Sequence, residues 1–221
     1  MIGVLTYSVP HRKTYDVLSL LKAKGVSDII IFACEFHYEK KFFPLINHRP
    51  EVLYQLTSEQ LASALGYEYV QGFDETKLPA GSAILICGGG IIPQELIERY
   101  VIINSHPGYL PNVRGLDALK WAIYDGQPVG VTVHTLCDEV DAGALIDRQL
   151  VPLYFNDTFH SFAYRQYEME VRMLVEALDK LNNLGEIIRP GDFPLRRRMS
   201  HKHEIRLFER FNEMVSKIEI E

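Results

Sequence analysis

The feature that most restricts the fold of this chain is a set of short, nearly unbroken apolar runs. Met1-Ile2-Gly3-Val4-Leu5-Thr6-Tyr7 is the first, and Asp28 to Cys34, through Ile29, Ile30, Ile31 and Phe32, is the second. Ser82 to Cys87, through Ala83-Ile84-Leu85-Ile86, and Tyr100-Val101-Ile102-Ile103, leading to Asn104, follow the same pattern. A strand that is apolar at successive residues is buried on both faces, the situation of a parallel sheet covered by helices. Between the first two runs, Val17, Leu18, Leu20 and Leu21 recur at helical spacing and Gly25 ends the helix, so the chain opens β-α-β. These patterns predict an α/β fold, a Rossmann-like open, mostly parallel sheet with helices on both faces.

The later segments extend that reading. Thr57-Ser58-Glu59-Gln60 has the hydroxyl, acid and amide of a helix start, with Leu61 and Leu65 on its apolar side. Tyr67 to Val70 reads as a short strand, and Pro93 to Arg99 as a brief helix with proline near its first turn. Leu116 to Asp125 forms a helix through Leu119, Trp121 and Ile123. Val129 to His134 and Ala144 to Val151 read as two strands separated by an acidic turn. A long helix capped by Asp157 then turns Phe162, Met169, Met173, Leu174, Leu178 and Leu181 to the core, until Gly185 and Pro190-Gly191 break the pattern. The basic segment Arg196 to Phe211 ends in one more helix, and Glu35 to Pro50 reads as loop and short helix. The division expected is a catalytic domain over 1–183 and a basic C-terminal extension over 184–221.

Composition narrows the function classes. With 47% hydrophobic and 24% charged residues, the chain falls among soluble globular proteins. No apolar run is long enough to span a bilayer, and the start lacks a basic leader, so neither a membrane nor secretion is expected. Cys34, Cys87 and Cys137 are odd in number and far apart, which argues against a disulfide framework and fits a reducing cytoplasm. A net charge of −6 disfavours nucleic acid as a partner.

The chemistry concentrates in Asn104-Ser105-His106-Pro107 at the end of the fourth run and in Glu139-Val140-Asp141-Ala142-Gly143. An amide can hold a developing oxyanion, an imidazole can exchange a proton near neutral pH, and a carboxylate can orient the imidazole or take a proton. Asn104, His106 and Asp141 together suit acyl transfer. Ser105 alternates to the other side of the strand and Ser8 sits in no nucleophile elbow, so attack by a bound amine or water fits better than a covalent enzyme intermediate. The plainer reading is that Asn104 and His106 cap a strand and Asp141 makes a turn; chemistry alone does not separate the two.

The order of the motifs resembles the 10-formyltetrahydrofolate-dependent formyltransferase family. Asn104-Ser105-His106-Pro107, Leu110-Pro111, Arg114-Gly115, Thr132-Val133-His134, Asp141-Ala142-Gly143 and Leu145-Ile146 follow one another as the family's elements do, with Val151-Pro152 and Asp157-Thr158 beyond. The resemblance covers Ser82 to Leu181 well and the first strands more loosely. It implies that Asn104 bonds the formyl oxygen, His106 stabilises the tetrahedral intermediate, and Asp141 supports that charge and accepts protons. Asp138, the rival carboxylate, does not match Asp-x-Gly and is expected in a solvated turn.

The same resemblance puts the folate pocket at Ile86, Gly88, Gly89, Gly90 and Ile91, with Glu139, Val140 and Asp141 opposite. Larger residues usual at the glycines leave the pocket's shape open, and a plain strand-to-helix turn is the alternative. For the acceptor it points to Ser8, Arg12 and Lys13, where glycinamide ribonucleotide formyltransferases carry a glycine-rich phosphate loop that is missing here. Pro107, Gly108, Tyr109 and His134 would complete that side. A solvated charged face is the competing account of Arg12 and Lys13, and a satisfied strand histidine that of His134. The expected partner is a small, phosphate-bearing amine, foremost a nucleotide-linked amino sugar, with glycinamide ribonucleotide second and initiator methionyl-tRNA after it; a formyltetrahydrofolate hydrolase and an inactive folate- or nucleotide-binding relative are the other readings, and a homodimer is left open. Neither a metal nor a membrane is implied. Tyr7, Phe36, Tyr38 and Tyr109 are candidates to stack on a base or sugar, or to serve the core. The tail cations Arg196, Arg197, Arg198, His201, Lys202 and His203 read as surface.

Overall fold

A computed structural model describes residues 1–36, 43–189 and 191–218. In chain order the elements are β1 (Ile2–Tyr7), α1 (Arg12–Ala23), β2 (Ile29–Cys34), α2 (Ser58–Leu65), β3 (Glu68–Gln71), β4 (Ala83–Ile86), α3 (Gln94–Arg99) and β5 (Val101–His106). There follow β6 (Arg114–Gly115), α4 (Ala118–Asp125), β7 (Gly130–Thr135), β8 (Gly143–Leu150) and α5 (Phe159–Glu176), which tightens into a 3-10 turn at Ala177–Lys180. The last elements are β9 (Ile187–Ile188), β10 (Leu195–Arg196), α6 (His201–Glu204) and α7 (Leu207–Val215).

The main sheet has the order β3-β2-β1-β4-β5-β7-β8-β9. The pairs from β3 through β5 are parallel, whereas β5 with β7, β7 with β8 and β8 with β9 are antiparallel. The expected α/β class and mostly parallel sheet are therefore present. Register sorts the apolar runs between two layers. Val4, Ile31, Leu85 and Ile103 stand side by side and meet the core formed with Val17, Leu18 and Leu21 of α1 and Met173 and Leu174 of α5. The alternate residues Ile30, Phe32, Ile84 and Ile102 pack with Leu78 and Tyr100, against which Leu96 and Ile97 of α3 lean. Successive side chains of a strand face opposite ways, so runs apolar at every position serve both layers.

Several boundaries differ from the sequence reading. β5 continues through Ser105 and His106, because β7 supplies an antiparallel partner as far as the pair His106↔Thr132. Helix α4 begins at Ala118, not Leu116, since Asp117 takes a left-handed conformation (φ 54°) before it. Helix α5 is capped by Thr158, whose hydroxyl accepts from the Ser161 amide, and Asp157 instead pairs with Arg165 at 2.7 Å. Pro93 is the cap of α3 and stands outside its first turn. The Thr57–Gln60 start of α2 is a complete capping box. No helix occurs in the described part of Glu35–Pro50, residues 35–36 and 43–50; residues 37–42, which include Tyr38, lie outside the described residues, as does Pro190. The basic segment holds two short helices, α6 and α7, where one was expected.

Leu85 is fully buried in β4, between β1 and β5 in the parallel half. Leu85→Ala should lower unfolding free energy by about 2–5 kcal/mol, the range for a leucine truncated in a packed core. Urea titration would register this, and a change below about 1 kcal/mol would show that the layer around Leu85 collapses onto the gap.

Candidate active site

The parallel half of the sheet ends at β5, and the C-terminal ends of β1, β4 and β5 lie on one edge, where open α/β sheets take their ligands. Asn104 and His106 share the side of Ile102, while Ser105 continues that of Ile103 and is buried, its hydroxyl without a hydrogen-bond partner. On the antiparallel neighbour, Asn104 stands opposite His134, and directly opposed residues face the same way. Asn104 Nδ2 lies 3.5 Å from His134 Nε2. His134 is wholly buried, and its Nδ1 is 2.9 Å from both the Thr135 and Ala142 carbonyls. Two carbonyls at one ring nitrogen require the proton there, which leaves Nε2 to accept from the Asn104 amide. Burial lowers the His134 pKa and favours this neutral form. The histidine is thus both satisfied and the group that orients Asn104.

His106 is 4% exposed and its ring faces two oxygens, the Val113 carbonyl 2.9 Å from Nε2 and Asp141 Oδ1 3.3 Å from Nδ1. The ring can donate to both only when doubly protonated, so the carboxylate is placed to balance a positive imidazole. Asp141 Oδ2 accepts the Gly115 amide at 2.6 Å, and Arg114 Nη2 donates to the Val140 carbonyl at 2.8 Å. Asp141 itself has φ 55°, a left-handed conformation that costs an ordinary residue about 1–2 kcal/mol and that aspartate tolerates comparatively well. Two donors from one short strand, one to its backbone neighbour and one to its carboxylate, fix the turn in place. Asp138 is apart from this cluster, exposed and accepting from Gln94 Nε2 at 2.6 Å.

That Gln94–Asp138 bond lays the loop after β4 beside the acidic turn. The loop's Ile91 is 97% exposed and the turn's Val140 59%, apolar surface that finds no cover in the core. Ile86 is half-buried at the end of β4, and Glu139 Oε1 lies 3.6 Å from Arg114 Nη2. Gly88 has an internal reason to be glycine, since a Cβ there would stand 2.4 Å from the Tyr7 ring. Gly89 packs in the same way on Leu5, and Gly90 turns with φ 66°.

A second group gathers where β1 enters α1. A cavity of about 350 Å3 is lined by His11, Arg12, Lys13, Arg49, Cys87 and Glu170. Lys13 Nζ pairs with the buried Glu170 at 2.8 Å, and Arg49 pairs with the same carboxylate. Arg12 Nε is 2.7 Å from Asp16. Arg12 and Lys13 are 18% and 12% exposed, so the solvated charged face considered from sequence does not form. Against burial, which raises it, Arg49 and then Lys13 hold the Glu170 carboxyl down to about 2. Burial, then Lys13 and Arg49, lowers His11 to about 4, leaving it neutral at pH 7. Glu170, Lys13 and Arg49 together carry one net positive charge. Ser8 is half-buried just before them, its amide bonded to the Cys34 carbonyl.

Pro107, Gly108 and Tyr109 leave β5 between these two groups, and their polar backbone is engaged internally. The Pro107 carbonyl accepts from Gln166 Nε2 at 3.0 Å, the Gly108 carbonyl from Thr132 Oγ1 at 2.8 Å, and the Tyr109 ring lies 4.8 Å under the Arg148 guanidinium. Tyr7 and Phe36 stack edge to face at 4.7 Å. Sequence reasoning did not single out Arg49, Gln166 or Glu170. The signal for the last two was present, because Gln166 and Glu170 are polar residues one turn apart within the apolar stripe of α5. Among the described residues no group of three or more His, Cys, Asp or Glu could hold a metal ion, and no helix is long and apolar enough to cross a membrane.

Residues 75–178, which carry Asn104, His106, Gly115 and Asp141, match the sequence profile of the family described as formyl transferase. Over that stretch the chain is a member of the 10-formyltetrahydrofolate-dependent formyltransferase superfamily. Among relatives of this chain, the trifunctional purine biosynthetic protein adenosine-3 of Gallus gallus is 37% identical over 103 residues, covering 44% of this chain and 10% of the relative. Methionyl-tRNA formyltransferase of Koribacter versatilis is 37% identical over 106 residues, 46% of this chain and 34% of the relative. The chain thus spans about a third or less of these two curated relatives. A solved N-formyltransferase structure from Helicobacter canadensis, a complex with folinic acid and dTDP-3-aminofucose, shares the fold with a TM-score of 0.64 at 14% identity, covering 94% of this chain and 80% of that one.

The Glu170 cluster makes a pH prediction. A carboxyl held at about 2 in the fold, against an ordinary 4.5, adds stability that is fully present above 4.5 and is lost as pH falls toward 2. Glu170→Gln should remove that part of the acid dependence, and at pH 7 it should be less stable by about 3 kcal/mol because Lys13 and Arg49 lose their counter-charge. Urea unfolding between pH 2 and 7 measures both, and an unchanged acid slope would show that Glu170 is not the titrating group.

Proposed function

We propose that the chain is an N-formyltransferase that moves a formyl group from 10-formyltetrahydrofolate to the amine of a small, phosphate-bearing acceptor, foremost a nucleotide-linked amino sugar. The observation that carries this is the joining of Asn104, His106 and Asp141 at the end of β5, within the residues that match the family. The donor's pterin would lie between the loop at Ile86, Gly88–Gly90 and Ile91 and the turn at 139–141. The exposed aliphatic side chains of Ile91 and Val140 fit a flat, largely apolar ring. When bound, the donor supplies a formyl carbon open to attack by an amine.

Each protein group then has a task. Asn104, held by His134, directs its remaining amide hydrogen at the oxygen on which negative charge grows. His106 offers positive charge to the same region, balanced by Asp141. Asp141 takes up the proton that the amine releases, directly or through water. The net positive cavity at Lys13 and Arg49, neighbouring the loop at Pro107 to Tyr109, suits an acceptor phosphate. Glycinamide ribonucleotide is the second reading for the acceptor and methionyl-tRNA the third; relatives named for purine biosynthesis and for methionyl-tRNA formylation each match at 37% identity.

Incubation with 10-formyltetrahydrofolate and a panel of amino-sugar nucleotides, glycinamide ribonucleotide, charged initiator tRNA or water should release tetrahydrofolate fastest with an amino-sugar nucleotide. Transfer to none of them would overturn the enzyme reading, and preference for glycinamide ribonucleotide would replace the acceptor. Asp141→Asn and His106→Ala should each lower kcat by about 10²-fold or more in folded protein. Arg49→Ala should raise the acceptor's apparent KM about tenfold, as loss of one charge-assisted bond does, with the folate KM unchanged.

A further inference from the structure

Residues 184–221 are expected to form a C-terminal extension, yet Leu195 to Glu204 run along the back of the reaction centre. β10 pairs in parallel with β6, Leu195 beside Arg114 and Arg196 beside Gly115, and the Leu116 amide donates to the Arg196 carbonyl at 2.9 Å. β6 is the two-residue strand whose other side holds the acidic turn, through Gly115 N–H to Asp141 and Arg114 to Val140. The strand is therefore clasped between the tail and the catalytic carboxylate. Contact is so close that a Cβ on Gly115, where φ is 87°, would stand 2.1 Å from the Arg196 carbonyl oxygen.

The tail is fastened to the start of α4 immediately beyond. Asp117, its side chain 3% exposed, accepts the Met199 amide at 2.9 Å and Arg198 Nη1 at 3.1 Å. Trp121 Nε1 donates to the Arg197 carbonyl at 2.7 Å, and the Arg196 guanidinium lies 4.5 Å from the centre of the Trp121 ring. Lys120 and Glu204, both inaccessible to solvent, form an ion pair, and the other Glu204 oxygen accepts the Leu45 amide at 2.8 Å. A buried charge left without its partner is strongly destabilising, so this pair makes release of the tail costly.

We propose that the segment from Leu195 to Glu204 is part of the catalytic apparatus, a strap that holds β6 in register so that Gly115 presents its amide to Asp141. Asp117 and Trp121 are its positioning residues; neither touches the reacting atoms. This rests on the formyl-transfer reading for its activity readout, while its structural claim stands apart from that reading. An amide 2.6 Å from a carboxylate should give a strongly downfield proton resonance, so Gly115 N–H reports the contact whether or not the enzyme turns over.

The test uses the full chain with Asp117→Ala, which removes the acceptor for Met199 and Arg198, and Asp117→Asn, which keeps an acceptor and tolerates the left-handed backbone. Trp121→Phe, which deletes the bond to Arg197 and keeps a ring beside Arg196, is the milder variant should Asp117→Ala fail to fold. Two-dimensional amide spectra would follow Gly115 and Met199, with hydrogen exchange at Met199 reporting release of the tail. In Asp117→Ala, Gly115 should move upfield and kcat should fall tenfold or more, with both apparent KM values within twofold of wild type. Asp117→Asn should recover most of both, and Trp121→Phe should shift them in the same direction by less. Rapid Met199 exchange with Gly115 unmoved and kcat intact would overturn the strap. Displacement of Gly115 in a protein without transferase activity in any form would uphold the strap and count against the proposed reaction.

Discussion

The bond from the Gly115 amide to the Asp141 carboxylate carries an unusual share of this structure. Asp141 stands on a turn in a left-handed conformation, which a free loop would abandon. It must nevertheless keep one oxygen 3.3 Å from the His106 ring. A donor presented by a strand of two residues would itself be mobile unless something lay behind it, because so short a strand has little pairing of its own. The parallel partner at Leu195–Arg196, the start of α4 and the buried Lys120–Glu204 pair together make the donor a fixed one. Positioning in this protein comes from backbone groups clamped on both sides, and side-chain chemistry is built on top of it.

The parts of the fold that could be read from sequence are those that local physics determines. Runs such as Ile29 to Phe32 and Ala83 to Ile86 have no other way to bury both sides, and Thr57 with Gln60 announces a capping box whatever surrounds it. Asn104, His106 and Asp141 were legible as chemistry because they are concentrated in two short stretches. Long-range pairing erased other signals. Nothing near His106 indicates that β5 runs two residues past Asn104, since the partner that extends it, β7, comes some thirty residues later. Asp157 and Thr158 are adjacent and both able to cap, and Arg165 draws Asp157 aside.

The cationic cavity was the least legible part, for a reason of charge. Arg12 and Lys13 read as surface; Asp16, one helical turn on, meets Arg12, but the buried partner of Lys13 comes from far off in sequence. Glu170 arrives on α5 and Arg49 on the loop before α2, and together they turn isolated cations into an ordered cluster of small net charge. Full burial of Glu170 is sustained by two cations, where a single one would leave the cavity neutral. The tail cations read as surface, and Arg197, Arg198, His201 and Lys202 are exposed; what their neighbourhood in sequence did not show is that Arg196 and Arg198 pair with Asp125 and Asp117.

Helix α5 also acts as a gauge. Gln166 grips the Pro107 and Gly130 carbonyls, and Glu170, one turn along, grips Lys13 and Arg49. The axial rise between those two residues is about 6 Å in any regular helix. A rigid rod therefore sets the separation between the loop that follows β5 and the cationic cavity. Sliding the helix by one residue would unpair both ends at once, so that interval cannot drift gradually. For an acceptor spanning the two places, the distance from its amine to its anionic group is measured against a helical turn.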